Sequence, residues 1–340
     1  MTVGMAERTP SRRGFLASTA AVLAGCCHCR AGDSLHASAQ DSALRTQDAP
    51  PEPIIDIHQH TNYSGRTDEQ LLAHQRNMGV SQTVLLPAGR YVERASTHMG
   101  KSNGLAVRAG TNESCYRLTR EYPGKYFMFA NETPDVEGAR EEIEKYLKLG
   151  ALGIGEQKFN IDVESPAFYG IAEVARDYGV PMLCHFQTGM YNHGYRRFWR
   201  VMDRYPTVKF IAHAQTTWTN LDADYVEDAK QLYPKTPYRA GGITDQYLRD
   251  YEHFYVDLSA GSGLNSMIRD PEHARAFLLV HQDKVIYGSD CNDHPGKPPI
   301  CQGALTIAAV RWLAPSKEIR RKILHDNAVR VLRIPATSGV

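Results

Sequence analysis

The chain has 340 residues, and its 39 Lys plus Arg against 38 Asp plus Glu give a formal net charge of +1. With 42% hydrophobic and 23% charged residues, it has the composition of a globular domain and not of a disordered, collagen-like or coiled-coil chain. Proteins that coat a phosphate backbone usually carry a basic excess, which this sequence lacks. No apolar run approaches the roughly 20 residues that span a bilayer. These features argue against a nucleic-acid partner and against an integral membrane protein.

Residues 1–25 are predicted to be an export signal. Arg12 and Arg13 precede an apolar stretch over residues 15–24, so a positively charged start is followed by a short hydrophobic region. The paired arginines resemble the twin-arginine (Tat) signal. The sequence therefore predicts export through the Tat route to the periplasm of a bacterium.

The end of this signal has two alternative processing sites. Residues 23–26 resemble a bacterial lipobox, in which Cys26 becomes the lipidated first residue. Residues 37–39 form an ordinary signal-peptidase site, with cleavage after Ala39. Lipidation would give a membrane-tethered lipoprotein, because a single acyl chain acts as a tether and not as a bilayer domain. Membrane contact is expected only through this anchor.

Residues 26–53 are rich in Ala, Ser, Asp, Gln and Pro, and they are predicted to be a flexible linker. The rest of the chain contains four scattered cysteines, which do not form a disulfide framework. They are Cys115, Cys184, Cys291 and Cys301.

Residues 54–335 are predicted to form one α/β domain. Eight short apolar runs alternate with helical segments, and such runs with little polar alternation are typical of parallel strands buried on both faces. The runs cover residues 54–58, 83–86, 126–130, 151–155, 181–185, 208–213, 254–258 and 285–290. Helices are predicted after Ser165-Pro166, over residues 141–149 and after Ser316. Eight strands with helical crossovers predict a (β/α)8 TIM barrel, with a doubly wound sheet as the alternative.

Histidines and carboxylates stand at the ends of five of these strands. In an α/β barrel the catalytic groups lie at the carboxyl ends of the strands, so these side chains are expected to converge. Imidazole and carboxylate ligands without thiolates suit Zn²⁺, with Mn²⁺ or Fe²⁺ as alternatives. The predicted metal ligands are His58, His60, Glu156, His185, His213 and Asp290.

The order and spacing of these elements resemble the amidohydrolase superfamily. The resemblance rests on the HxH pair of His58 and His60, on His185 and His213, and on Asp290 in a Gly-Ser-Asp sequence. Residues 205–213 and 326–332 look like the amidohydrolase-2 (amidohydrolase-related) branch, which includes lactonases and metal-dependent decarboxylases. The resemblance implies that Asp290 shuttles the proton of a metal-activated water. His213 would bind a second metal or polarise the scissile carbonyl.

The fourth strand departs from the pattern of this branch, because Glu156 and Lys158 stand where a Gly-Ile-Lys sequence is common. Glu156 looks like the bridging glutamate of TatD-type members and is the favoured ligand. Lys158 is alternatively a carboxylated bridging lysine or a contact to a substrate carboxylate. An ordinary ion pair between the two is a further alternative. Whether the site binds one ion or two stays open.

Other residues are weaker candidates for contacts to a small-molecule substrate. They are Lys158, Arg90, Trp218, Arg239 and His294. Asp293 is a candidate to support the ligands, and Cys291 beside Asp290 is interpreted as a packed thiol and not as a nucleophile.

The predicted activity is metal-dependent hydrolysis of a C–O or C–N bond in a lactone, ester or amide. A metal-dependent non-oxidative decarboxylase is the alternative, and a barrel that only binds a ligand is disfavoured because the HxH pair and Asp290 are present. A deoxyribonuclease, suggested by Glu156, is disfavoured by the balanced charge. A homo-oligomer is compatible with the sequence.

Overall fold

The computed structural model describes residues 52–106 and 108–335. The predicted export signal, the lipobox at Cys26 and nearly all of the predicted linker lie outside these residues. No helix among the described residues is both long enough and apolar enough to cross a membrane.

Each of the eight predicted runs overlaps a β-strand. The strands are β1 Ile55–Gln59, β2 Gln82–Leu85, β3 Tyr126–Met128, β4 Ile154–Gln157, β5 Met182–His185, β6 Phe210–His213, β7 Phe254–Asp257 and β8 Val285–Ile286. All pairings are parallel and follow chain order, from β1 to β3 and from β4 to β8.

Two further contacts close the sheet into a barrel. A parallel bridge joins Ala130 to Ile154, between β3 and β4. The backbone N–H of Ile57 donates to the carbonyl of Tyr287 at 3.2 Å, which joins β1 to the segment that follows β8. The predicted (β/α)8 barrel is therefore confirmed, and the doubly wound alternative does not apply.

Twelve α-helices surround the strands in the described part of the chain. They are α1 Asp68–Met78, α2 Asn112–Glu121, α3 Ala139–Lys148, α4 Pro166–Tyr178, α5 Trp199–Arg204, α6 Gln215–Thr219, α7 Ile243–Asp250, α8 Ala260–Ile268, α9 Pro271–Val280, α10 Gln302–Leu313, α11 Lys317–Arg321 and α12 Asn327–Leu332. As predicted, Ser165 caps α4 by accepting a hydrogen bond from the N–H of Phe168 at 3.2 Å. The helix predicted after Ser316 is divided, because a π-helical turn over Lys322–Asp326 separates α11 from α12.

The interior of the barrel is apolar below its carboxyl-terminal mouth. Leu183, Ile211 and Tyr255 belong to one buried cluster that α12 joins. Successive side chains of a strand point to opposite faces, so the residue two positions after each of these three also points into the barrel. Those residues are His185, His213 and Asp257, and they lie at the mouth.

Candidate metal centre

The predicted ligands are buried together at the carboxyl ends of the strands. His58 and His60 are fully buried, as is His213, while Asp290 retains 9% exposure. The imidazole rings of His58 and His60 are 5.2 Å apart, and those of His58 and His213 are 4.5 Å apart. Side chains from β1, β4, β6 and the segment after β8 therefore share one small volume.

Two groups of atoms within this volume can each hold a metal ion. His58, His60 and Asp290 form one group, and His58, Glu156 and His213 form the other. His60 Nε2 lies 3.4 Å from Asp290 Oδ1, and His58 Nε2 lies 3.4 Å from Glu156 Oε2. His58 is common to both groups, so the arrangement suits either one shared ion or two neighbouring ions.

The hydrogen bonds of the three Nδ1 atoms indicate that, in the neutral rings, Nε2 is the nitrogen available to a metal. His60 Nδ1 lies 2.7 Å from the carbonyl oxygen of Leu86, and His58 Nδ1 lies 2.7 Å from Asp257 Oδ2, so both nitrogens must donate. Ser259 donates its hydroxyl proton to Asp257 and can accept from His213 Nδ1 at 2.8 Å. With Nδ1 protonated in each neutral ring, Nε2 carries a lone pair.

These lone pairs face carboxylate oxygens, which also carry lone pairs. His58 Nε2, His60 Nε2 and His213 Nε2 have no hydrogen-bond partner, and neither do Glu156 Oε2 and Asp290 Oδ1. Leaving buried polar groups unpaired costs about 1–3 kcal/mol each. One shared divalent cation or two neighbouring ones would give these atoms partners, so the residues fit such a metal.

The electrostatics of the centre also favour a positive charge. Burial opposes protonation of His58, but the charges of Asp290 and Glu156 outweigh it and raise the pKa of His58 well above its ordinary value. Burial would raise the pKa of Asp290, yet His58 and His60 hold it below its usual range. Burial and His58 lower the pKa of His213 to about 3. Asp290 is therefore an ionised carboxylate at neutral pH, and His213 is a neutral imidazole.

His185 lies beside the centre with both of its ring nitrogens engaged. Its Nδ1 is 2.5 Å from Glu156 Oε1, and its Nε2 is 3.1 Å from Gln187 Oε1. Burial and the positive charge of Lys158 lower its pKa. Neither of the two metal groups includes it. Its part as a ligand therefore stays a prediction, and in this structure it orients Glu156.

Asp257 is a functional candidate that the sequence interpretation missed. Its Oδ2 receives both the Nδ1 proton of His58 and the hydroxyl proton of Ser259, and the side chain is fully buried. Carboxylates of this kind fix the tautomer and orientation of metal-binding histidines. The signal was available, because Asp257 ends β7 in the same way that His213 ends β6.

We expect Asp257→Asn to weaken metal binding by about 10–100-fold, the usual effect of losing a partner of a ligand. The amide keeps the size of the side chain but cannot accept both protons. Metal affinity, measured by competition with a chromogenic chelator, checks this expectation. The matched control is Asp224→Asn, which removes an exposed carboxylate that pairs with Arg239. Equal affinities in the two variants would contradict the positioning role of Asp257.

A cavity of about 270 Å³ is lined by two cationic side chains and by Gln187 and Tyr191, which contact His185. Lys158 reaches it from the end of β4, and its Nζ lies 5.6 Å from the centre of the Tyr191 ring. The aliphatic part of Lys158 packs against Gly104, where an added Cβ would lie 2.7 Å from Cγ. Arg108, in the long segment between β2 and α2, also lines the cavity and was missed by the sequence interpretation.

The other predicted substrate contacts lie elsewhere. Arg90 forms an ion pair with Glu132 at 2.7 Å and lines a separate, larger cavity of about 530 Å³. Arg239 pairs with Asp224 at the surface. Trp218 is buried against Phe277, and His294 is exposed. The structure brings only Lys158 of this set to the cavity beside the metal centre.

A closed parallel barrel with imidazoles and carboxylates gathered at its carboxyl-terminal mouth is the architecture of a metal-dependent barrel enzyme. Residues 55–334 match the family model described as Amidohydrolase, that of the amidohydrolase-2 family. The chain therefore belongs to this family.

Solved structures with the same fold include both decarboxylases and a hydrolase. The 2,6-dihydroxybenzoate decarboxylase from Rhizobium is 14% identical, with a TM-score of 0.53 over 83% of this chain and 99% of that chain. The 5-carboxyvanillate decarboxylase from Sphingomonas paucimobilis is 15% identical, with a TM-score of 0.50 over 78% and 82%. A probable 2-pyrone-4,6-dicarboxylic acid hydrolase from Acinetobacter baumannii, with citric acid bound, is 12% identical, with a TM-score of 0.52 over 82% and 99%. At these identities the likeness shows the fold alone. No curated protein matches the sequence.

Proposed function

We propose that the protein is a metal-dependent hydrolase that cleaves a C–O or C–N bond in a small substrate bearing a carboxylate. The observation that carries this proposal is the set of five buried, unpaired atoms from His58, His60, Glu156, His213 and Asp290, which face one another. The proposed ion is Zn²⁺, because three imidazoles and two carboxylates are a donor set that zinc accepts.

When bound, a divalent cation supplies Lewis acidity, which lowers the pKa of water and polarises a substrate oxygen. Asp290 is the proposed proton acceptor, since its Oδ1 is unpaired and its lowered pKa keeps it ionised at neutral pH. The proton taken by Asp290 is then available to the leaving group. His213 is the better candidate for a ligand than for a hydrogen-bond donor, because its Nε2 carries no proton.

Tyr63 is a second proton donor at the centre. Its ring lies 4.8 Å from that of His60, and burial together with the charges of Asp290 and Glu156 raises its pKa well above the ordinary value. The phenol therefore stays protonated and can donate to Asp290 or to a substrate oxygen.

The cavity beside the centre supports an anionic substrate. Lys158 and Arg108 give it two positive charges, while no carboxylate lines it. Charge-assisted hydrogen bonds from such groups bind carboxylates. The names of the structural neighbours include three aromatic or pyrone carboxylic acids, which agrees with this chemistry.

We expect Lys158→Gln to raise KM for a carboxylate substrate by about 10–100-fold, since a hydrogen bond to a charged group contributes about 1.5–3 kcal/mol. The matched control is Arg90→Gln, because Arg90 lies in a separate cavity. The corresponding methyl ester of the substrate should show no such difference between the parent protein and Lys158→Gln. An equal rise for acid and ester would contradict the proposed contact.

A non-oxidative decarboxylase is the second candidate, and the same cationic cavity favours it, since it would hold a substrate carboxylate beside the metal centre. A panel of carboxylate-bearing lactones, esters and amides and of hydroxylated aromatic acids separates the two reactions. Hydrolysis releases acid without CO2, whereas decarboxylation releases CO2. Release of CO2 alone would overturn the hydrolase proposal, and no turnover of either class by metal-loaded protein would overturn both.

A further inference from the structure

A second group of candidate ligands lies behind Asp290 and contains the only close pair of thiols in the described residues. His74 of α1 meets Cys291, Asp293 and Cys301 of the segment that joins β8 to α10. We infer that these four side chains form a second, structural metal site that binds Zn²⁺. This cluster is distinct from the centre at His58, whose candidate ligands include no cysteine.

The distances among the four ligand atoms suit a tetrahedral ion. Cys291 Sγ and Cys301 Sγ are 3.4 Å apart, and Cys301 Sγ lies 3.5 Å from His74 Nε2. His74 Nε2 lies 3.2 Å from Asp293 Oδ2, and all four atoms are within 4.8 Å of one another. Ligands bound to zinc at the usual bond lengths of about 2.0–2.3 Å are separated by about 3.3–3.8 Å. Three of the six separations are therefore close to those of a zinc tetrahedron, and the remaining three are within 4.8 Å.

Backbone N–H groups donate to both sulfur atoms of the cluster. The backbone N–H of Gly303 donates to Cys291 Sγ at 2.9 Å, and that of Ala304 donates to Cys301 Sγ at 3.4 Å. Cys301 is the N-cap of α10, where the first turn presents unpaired N–H groups. Both cysteines are almost completely buried, at 1% and 0% exposure. Two buried thiolates need a cation, and a soft donor pair with an imidazole selects zinc over magnesium or calcium.

A buried arginine borders the cluster. Arg66 is 1% exposed, and its guanidinium donates to the carbonyl of Asp293 at 3.0 Å and to the side-chain oxygen of Gln59. Within the described residues no carboxylate lies within ion-pair distance of it. A zinc ion with two thiolates, one carboxylate and one neutral imidazole carries a net charge of −1. The metal-free cluster, with neutral thiols and an ionised Asp293, carries the same charge, so Arg66 is compatible with the zinc site and does not by itself require the ion.

The position of the cluster gives the site its function. Cys291 directly follows Asp290, so an ion held there would tie the segment that carries Asp290 to helix α1. The four protein ligands leave no open position, which is typical of structural and not of catalytic zinc sites. The site would hold the carboxylate of Asp290 against the first centre without taking part in the reaction.

Replacement of the bound metal by Co²⁺ tests this inference without any substrate. Thiolate ligands give cobalt an intense near-ultraviolet charge-transfer absorption, which a centre of imidazoles and carboxylates does not give. We expect the full-length protein, loaded under reducing conditions, to show this absorption, and Cys301→Ser to lose it together with one equivalent of metal. The control Cys115→Ser, which removes another buried thiol, should keep both. His60→Ala should keep the thiolate absorption while weakening the first centre.

If Cys301→Ser does not fold, the cobalt spectrum of the parent protein still decides the test. Absence of thiolate-to-cobalt absorption in the reduced parent protein would overturn the inference, whatever the variants do. A Cys291–Cys301 disulfide in peptides from protein purified without reductant, combined with failure of the reduced protein to bind metal there, would also overturn it. Neither outcome touches the proposed hydrolase, whose metal content and turnover depend on the centre at His58.

Discussion

Asp290→Asn is expected to lower kcat by about 10²–10⁴-fold, the usual contribution of a positioned general base. The carboxylate faces His60 Nε2 at 3.4 Å through its unpaired Oδ1, and 9% exposure leaves it open to the mouth of the barrel. An amide has nearly the same shape and can still offer an oxygen to a metal, but it cannot accept a proton at neutral pH. The substitution should therefore lower kcat by a larger factor than it changes KM. Steady-state kinetics on the substrate found by the panel measures both constants.

Metal content decides how this result is interpreted, because Asp290 is also a candidate ligand. We expect the variant to retain its metal at saturating Zn²⁺, so that the fall in kcat reports proton transfer. The control Asp177→Asn changes a carboxylate that pairs with Arg140 and Arg176 at the surface and should leave kcat unaltered. A variant of Asp290 that keeps both its metal and the parent kcat would show that another group accepts the proton.

The barrel could be predicted from the sequence because each of its strands is marked by a pattern of neighbouring residues. Near-continuous apolar runs mark buried parallel strands, and each of the eight runs overlaps a strand. The same local rule places His185 and His213 at the mouth, since each lies two positions after an interior residue of its strand. It applies equally to Asp257, which was overlooked because a lone acid at a strand end resembles an ordinary rim residue.

Contacts between distant segments could not be predicted in this way. Arg108 reaches the cavity of Lys158 from a long irregular segment that has no periodic pattern. Arg90 was a candidate from the same segment, yet it pairs with Glu132 instead. The contact between His74 and Cys301 joins residues separated by 227 positions, from a helix to a helix cap. Only the closed barrel brings such groups together, so the sequence interpretation treated Cys291 as a packed thiol.

Removal of the metal is expected both to abolish turnover and to lower the stability of the fold. A ligand bound only by the native state adds about 4 kcal/mol of stability when its free concentration is a thousand times its Kd. For a domain of this size, a change of that magnitude corresponds to a fall in Tm of about 10 °C. Differential scanning calorimetry before and after dialysis against a chelator, followed by Zn²⁺ readdition, measures the effect. His60→Ala should lose turnover as the dialysed protein does and should show a lower Tm than the parent, whereas His325→Ala, at the partly exposed end of the π-helical turn, should behave like the parent.

The stabilisation by metal should also decrease as the pH falls, because protons and the metal compete for the same lone pairs. In the metal-free centre the pKa of His58 lies well above its ordinary value, since Asp290 and Glu156 favour the charged ring over the opposing effect of burial. Protonation of His58 therefore competes with metal binding already near neutral pH. The difference in Tm between metal-loaded and metal-free protein should be largest at alkaline pH and should shrink on acidification. A difference that stays constant from alkaline to acidic pH would mean that the histidines do not ligate the ion.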